Sequence, residues 1–245
     1  LLALAVIALT ASTPIHANEA VCKGLTDGSK LTFAEDMRAS HSVEAGGRLE
    51  LKCSVLAAPT ADIVWFHNGN EVEIQEGPKD HLISSGKRMG ISILESRLVR
   101  ECVSAEDAGT YSCVALSPCS KTIKQSVNVV LAGKGVPSCN PSSEPTISLH
   151  TYSRMELPTV PVQLVCRSSH SPLSRVRWER VADDDTTMPI SYAASGFLQL
   201  PSGDLLVDPQ TLSAEDGEEL VTLTMRCHVG SSHVDSSIIF MEEEE

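Results

Sequence analysis

Hydrophobic and polar residues alternate with a period of two in several short runs of this chain, which is typical of strands with one buried face. The runs Ile63-Val64-Trp65-Phe66 and Val176-Arg177-Trp178 are examples. Aromatic residues make up only 4% of the 245 residues. We therefore predict an all-β protein whose thin cores consist mainly of Val, Leu and Ile.

One structural unit occurs twice along the chain. In each copy a Trp follows the first Cys by twelve residues, and a second Cys follows the first by sixty or sixty-one residues. At this spacing, a buried Trp beside a disulfide that links two sheets indicates an immunoglobulin sandwich. We predict two tandem immunoglobulin-like β-sandwiches. The core residues are Trp65 with Cys53–Cys113, and Trp178 with Cys166–Cys227.

The two copies differ just before the second cysteine. In the first copy Tyr111 stands two residues before Cys113 and follows an Asp-Ala-Gly-Thr turn, which predicts a tyrosine corner between strands E and F. In the second copy residues 218–224 lengthen the path after a similar turn at 214–217, and Met225 replaces the tyrosine. We expect the second sandwich to lack this tie and to have a looser E–F region.

The start of the chain resembles a secretory signal peptide. Residues 1–9 are apolar, and small and polar residues follow up to Ala17. This run is shorter than the ~20 residues of a membrane-spanning helix; a buried strand or helix is the alternative. Because no Met or basic residue precedes it, we expect the first residues of the signal peptide to be missing. We predict secretion without membrane insertion, with a signal peptide (1–17), a first sandwich (18–132), a Gly-, Pro- and Ser-rich linker (133–145), a second sandwich (146–241) and an acidic tail (242–245).

Four cysteines lie outside the two core pairs. Eight cysteines in a secreted chain favour disulfides over metal or catalytic thiols. In the immunoglobulin fold strand A starts at the end that carries the F–G loop, so Cys22 and Cys119 share one end. Cys102 precedes the E–F turn and Cys139 follows strand G, so both lie at the other end. We predict Cys22–Cys119 and Cys102–Cys139, with free or intermolecular thiols as the alternative; the second bridge would limit the swing of the second sandwich.

Charge and motifs exclude several function classes. The net charge of −13 argues against a nucleic-acid partner. Residues 18–132 carry 12 basic and 15 acidic side chains, a net of −3, whereas residues 133–245 carry 7 and 17, a net of −10. The acidic runs at 183–185 and 242–245 lack the ligand spacing of a calcium loop, and we interpret them as solvated. No nucleophile motif, phosphate-binding loop or zinc spacing occurs. We predict a binding protein without catalytic residues, metal or cofactor.

One outer sheet face of the first sandwich is apolar. If Trp65 and Cys113 face the core, four apolar side chains on strands C and F face outwards, more than a solvated face needs. These are Val64, Phe66, Val114 and Leu116. The corresponding strand of the second sandwich carries Arg175, Arg177 and Glu179 instead. We predict that the four apolar residues contact a protein partner, unless the linker, the tail or the second sandwich covers them.

The sequence also resembles a known family, the secreted two-immunoglobulin-domain proteins of invertebrates. The resemblance rests on the tandem pair, residues 110–114, Ser-Lys-Thr-Ile at 120–123 and Pro-Ser-Gly-Asp-Leu-Leu-Val at 201–207, and it covers about residues 20–240. The family includes the nematode zwei-Ig proteins and the ecdysone-inducible, insulin-binding two-Ig proteins of insects. Cys102 and Cys139 look more like the nematode branch.

This resemblance implies a function in protein recognition. The nematode proteins hold neurons and axons in position through cell-surface or matrix partners, and the insect proteins sequester insulin-like peptides. We therefore expect a secreted protein that recognises a cell-surface immunoglobulin protein, or itself, in neuronal positioning and cell–cell recognition. Sequestration of insulin-like peptides and a structural role in the extracellular matrix are the alternatives. The shared motifs are structural, so the resemblance assigns no binding residue.

Overall fold

The computed structural model of the chain describes residues 22, 29–79, 90–133, 139–140, 144–169, 176–190, 196–216 and 221–241. These residues form seventeen β-strands, a short 3-10 helix and one α-helix. They build two tandem immunoglobulin-like β-sandwiches, which confirms the predicted fold class. The predicted signal peptide and acidic tail lie outside the described residues.

The first sandwich contains eight strands, and the 3-10 helix Ala105–Asp107 lies before β7. The strands are β1 (Lys30–Phe33), β2 (Ser40–Glu44), β3 (Leu49–Ala58), β4 (Asp62–His67), β5 (Asn70–Gln75), β6 (Ile91–Arg100), β7 (Gly109–Leu116) and β8 (Ile123–Ala132).

The second sandwich contains nine strands and the helix α1 (Pro209–Asp216). The strands are β9 (Ile147–Glu156), β10 (Val162–Leu164), β11 (Cys166–Ser168), β12 (Val176–Val181), β13 (Thr187–Pro189), β14 (Phe197–Gln199), β15 (Leu205–Val207), β16 (Thr222–Val229) and β17 (Ser232–Phe240).

The strands form where apolar residues recur at every second position. In β3, Leu49, Leu51 and Cys53 are buried in the first core, and Glu50 and Lys52 between them are exposed. A strand places alternate side chains on opposite faces, so this sequence buries one face of the sheet and solvates the other. The predicted thin aliphatic cores follow from the same alternation.

The strands are arranged in three sheets. The first sandwich has a five-stranded sheet in the order β2-β8-β7-β4-β5. The second sandwich has a three-stranded sheet in the order β10-β15-β14. Both sandwiches share a nine-stranded sheet in the order β1-β3-β6-β9-β17-β16-β12-β13, with β11 paired to β9.

Strand β9 joins the two sandwiches. It pairs antiparallel with β6 of the first sandwich, antiparallel with β11, and parallel with β17. Leu149 of β9 and Val165 after β10 are fully buried in the core of the first sandwich. Backbone hydrogen bonds and a common core therefore fix the second sandwich against the first. The linker prediction gave no indication of this pairing.

The E–F region of the second sandwich contains the helix α1. Asp208 caps it, because its carboxylate accepts hydrogen bonds from the backbone N–H of Gln210 (3.2 Å) and the hydroxyl of Thr211 (2.6 Å). Strand β16 begins at Thr222, so the last three residues of the segment 218–224 are already sheet. Residues 217–220 lie outside the described part of the chain, and the expected looseness stays a prediction.

Candidate functional site

Four disulfides hold the two sandwiches. They are Cys22–Cys119, Cys53–Cys113, Cys102–Cys139 and Cys166–Cys227, with Cα–Cα distances of 5.3, 6.5, 5.7 and 6.6 Å. These are the pairs that the sequence predicts. The first and third bridges lie at opposite ends of the first sandwich, and the third attaches a residue of the predicted linker to the end of β6.

The two core tryptophans are buried and each indole N–H has an acceptor. Nε1 of Trp65 donates to Oγ of Ser96 across the first core (2.7 Å), and Ser96 in turn donates to the side-chain oxygen of Gln75. Nε1 of Trp178 donates to the carbonyl of Gly203 (2.8 Å). A buried indole needs such a partner. Trp65 is thereby attached to β6, and Trp178 to the turn before β15.

The Gly203-Asp204 segment explains one motif behind the family resemblance. Gly203 has a φ of +93°, which a glycine adopts without strain. The fully buried Asp204 carboxylate accepts hydrogen bonds from Nε2 of Gln163 (2.7 Å) and the backbone N–H of Cys166 (3.3 Å), and it pairs with Arg167. The motif is a structural clamp on the strand that carries the core cysteine.

Tyr111 forms a tyrosine corner in the first sandwich. Its hydroxyl donates to the carbonyl of Asp107 (3.0 Å), and its ring stacks on His67 with 4.3 Å between centroids. Burial raises the pKa of this phenol above its ordinary value. In the second sandwich Met225 occupies the matching position with its side chain fully buried.

The four predicted surface residues lie together on the outer side of β4 and β7. Leu116 is 40% exposed, and Phe66 and Val114 are half-buried. Val64 differs from the prediction, because only 5% of it is exposed. It pairs with Val114 on one side and Ile74 on the other; apolar neighbours on both sides shelter it, so it is the buried centre of the surface.

Two further residues of this surface were missed by the sequence analysis. Val72 and Ile74 on β5 are 37% and 56% exposed. The alternating run Glu71-Val72-Glu73-Ile74 was the available signal. Ile74 lies opposite Val64, whereas Val72 is the extra residue of a bulge that places Glu71 opposite Phe66. We call the complete set the partner face. It consists of Val64, Phe66, Val72, Ile74, Val114 and Leu116.

The hairpin between β4 and β5 carries four of the six residues of the partner face. Asn68 and Gly69 form its two-residue turn with positive φ values of 50° and 84°, as an Asn-Gly turn allows. The backbone N–H of Asn68 donates to the carbonyl of Thr110 (2.8 Å), and the N–H of Thr110 donates to Oδ1 of Asn68 (2.9 Å). These two bonds attach the hairpin turn to β7 and restrict its movement.

A buried polar cluster lies where the two sandwiches meet. The Glu95 carboxylate pairs with Nζ of Lys52 (2.7 Å) and the guanidinium of Arg97 (2.8 Å). Burial pushes the pKa of Glu95 upwards, but hydrogen bonds from Lys52 and Arg97 outweigh it and hold the pKa below its ordinary value. Across the strand pair, burial lowers the pKa of His150 to about 4, so the imidazole is neutral at pH 7. This cluster joins strands β3, β6 and β9.

Two classes of site were also searched for in the described ranges. No group of three or more His, Cys, Asp or Glu side chains there is placed to hold a metal ion. Among these residues, no helix has the length and apolar character to cross a membrane.

Known proteins resemble this chain in domain type and in domain number. The immunoglobulin domain family matches residues 37–116. Zwei Ig domain protein zig-4 of Caenorhabditis elegans is 29% identical over 226 residues, which cover 84% of this chain and 83% of the relative. Zwei Ig domain protein zig-3 of the same nematode is 28% identical and covers 75% and 71%. The resemblance to two-immunoglobulin-domain proteins of invertebrates is confirmed.

Solved structures support the same arrangement. The crystal structure of neural ectodermal development factor IMP-L2 matches with a TM-score of 0.59 and 18% identity. The match covers 86% of this chain and 94% of the other. Because both sandwiches are included, the likeness concerns the fold of the whole pair.

Proposed function

We propose that this chain is a secreted two-immunoglobulin protein that recognises a cell-surface or secreted protein in neuronal positioning and cell–cell recognition. Its sandwiches span residues 18–132 and 146–241, joined by the linker 133–145. The observation that carries the proposal is the partner face, an apolar surface on an outer sheet of the first sandwich. Apolar side chains collected on one exposed face are typical of an interaction site.

The partner face has the organisation of a protein interface. Phe66 supplies a half-buried aromatic anchor, and Leu116 and Ile74 expose apolar area beside it. Polar residues surround this centre, among them Asp62, which pairs with Leu116 across the strands, and Lys124, which pairs with Val114. Interfaces concentrate binding energy in such a centre and exclude water with a polar rim. A rigid surface loses little conformational entropy on binding.

The relatives support an extracellular and neuronal context. The nematode relatives share the two-domain organisation over most of their length. The protein with the similar structure is described as a neural ectodermal development factor. A recognition function in the nervous system therefore suits this chain better than a structural function in the matrix.

A second candidate function is sequestration of an insulin-like peptide on the same surface. It is favoured by the exposed Val72 and Ile74, which widen the apolar area beyond β4 and β7. An apolar face of this kind can cover the apolar receptor-binding residues of a small hormone.

The proposal is tested with the oxidised chain from residue 18 onwards. Cell-surface immunoglobulin ectodomains and insulin-like peptides of the same organism are screened by surface plasmon resonance, and self-association is measured by analytical ultracentrifugation. Binding to an ectodomain, or self-association, supports the first function; nanomolar capture of a peptide by a monomer supports the second. Binding to neither, with retention on extracellular matrix, contradicts both.

Substitutions in the partner face decide whether the binding uses this surface. We expect Phe66→Glu with Leu116→Glu to weaken binding about 100-fold or more, since two central apolar residues are each worth over ~1.4 kcal/mol. The matched control is Met188→Glu with Leu198→Glu, which changes two exposed residues (50% and 57%) of the second sandwich. Equal affinity in the face variant and the wild type, with both folded by circular dichroism, rejects the surface.

A further inference from the structure

We propose that the free edge of β5 binds an extended, basic segment of the partner, which adds a strand to the five-stranded sheet. This inference rests on the proposed function. It specifies which kind of partner segment binds beside the partner face. Strand β5 ends that sheet, and no other strand of the described residues pairs with its outer side. An unpaired edge presents backbone N–H and C=O groups that an incoming strand can pair with.

Strand β5 is the longest edge strand that the structure describes. It has six residues, whereas the edge strands β1, β2, β10, β13 and β14 have four, five, three, three and three. It contains no proline, which would remove a backbone donor, whereas β13 ends with Pro189. Glu71, Val72 and Ile74 on it are exposed. Both its length and its exposure therefore favour the addition of a strand.

The edge is held at both ends. Asn68 attaches the hairpin turn to β7, as described above. At the other end the buried Gln75 accepts the hydrogen bond of Ser96 in the core, and its Nε2 donates to the carboxylate of Glu73 (2.9 Å). Because the edge is already ordered, binding does not include the entropy cost of ordering it.

The negative charge of β5 favours a basic partner strand over a second copy of this chain. Residues 70–76 contain Glu71, Glu73 and Glu76 and no basic residue. A bulge at Val72 places Glu71 opposite Phe66 and Glu73 opposite Trp65, so the carboxylates lie on both sides of the strand. A second copy at this edge would bring its own three glutamates against them. Like charges across a strand pair are destabilising, whereas opposite charges stabilise it. A partner strand that carries Lys or Arg therefore suits this edge better than a second copy does.

The test uses an acetylated and amidated hexapeptide of alternating lysine and valine, added to the isotope-labelled chain. We expect NMR shifts and slowed amide exchange confined to Glu71–Gln75 and its neighbours. A peptide N-methylated at alternate amides should lose the effect, because it cannot pair with the edge. No change at β5, or an equal effect of the methylated peptide, overturns the inference.

Charge reversal provides the matched comparison. Glu71→Lys should lower the affinity for the lysine peptide about tenfold, the size expected when one surface ion pair becomes repulsive. Glu44→Lys, an exposed glutamate on β2 at the opposite edge of the same sheet, should leave the affinity unchanged. Equal loss in both variants, or dimers of the wild type with a protected β5, overturns the inference. If the screened partner needs Phe66 and Leu116 but binds Glu71→Lys normally, the proposed function stands and this inference fails.

Discussion

The two sandwiches have the same cysteine–tryptophan frame but different supports around it. In the first, the tryptophan is hydrogen-bonded to Ser96 inside the core, and the hydroxyl of Tyr111 attaches strand F to the E–F turn. In the second, the tryptophan is hydrogen-bonded to the backbone of Gly203. Met225 occupies the position of the tyrosine there and contributes apolar packing without a hydroxyl. The frame therefore specifies the type of sandwich, whereas the local ties vary from copy to copy.

The outer faces of the two sandwiches differ as much as their supports. The partner face of the first is apolar, whereas the corresponding face of the second carries ion pairs. Glu179 lies 3.0 Å from Nε2 of His228, and Arg226 lies 2.7 Å from Asp235. The hydrogen bond from His228 holds the pKa of Glu179 below its ordinary value. This contrast supports the proposal that the first sandwich, and not the second, carries the binding surface.

The largest predicted effect tests how far the first sandwich depends on the second. Leu149 belongs to β9 but is fully buried in the first core. Leu149→Ala should reduce the free energy of unfolding by about 3 kcal/mol, because a core leucine leaves a cavity when truncated. Leu198→Ala, at an exposed leucine of the second sandwich, should change it by less than ~0.5 kcal/mol. Urea denaturation followed by Trp fluorescence measures both; equal effects would show that the sandwiches have independent cores.

The next prediction concerns the polar cluster between the sandwiches. The folded chain keeps His150 neutral down to a pKa of about 4, whereas an unfolded histidine titrates near pH 6.5. The unfolded state therefore binds more protons between these values, so stability is complete above pH 6.5 and falls as the pH falls towards 4. From pH 7 to pH 5 the loss should be about 2 kcal/mol.

Substitution of the histidine isolates its contribution to this slope. His150→Asn cannot titrate, so its stability should fall less over the same range than that of the wild type. Urea denaturation at several pH values provides the comparison, and identical slopes for the two proteins would contradict the assignment to His150.

Much of the frame could be predicted because it depends on spacing. Two cysteines sixty residues apart with a tryptophan between them restrict the strands that carry them, and the alternation around Trp65 restricts which face is buried. The same reasoning located Phe66 and Leu116 on an outer face. It could not give the exposure of Val64, because shelter by Ile74 depends on how far the hairpin extends.

The shared sheet could not be predicted, because periodicity indicates the faces of a strand and not the neighbour at its edge. Residues such as Glu95 and His150 look like solvent-facing residues in the sequence, yet both are buried where β6 pairs with β9. The helix α1 is a different case. Asp208 followed by Pro209 is a helix-start signal that is present in the sequence.

The smallest predicted effect concerns the tyrosine corner, which only the first sandwich has. Tyr111→Phe removes the hydrogen bond to the Asp107 carbonyl and keeps the ring stacked on His67. We expect a loss of about 1 kcal/mol in the free energy of unfolding, the net value of one such bond. Tyr152→Phe is the matched control, because this tyrosine is 55% exposed and should lose less than ~0.5 kcal/mol. If both changes cost the same, the hydroxyl of Tyr111 is not what distinguishes the first sandwich, and the buried ring, which Met225 replaces in the second, accounts for its stability.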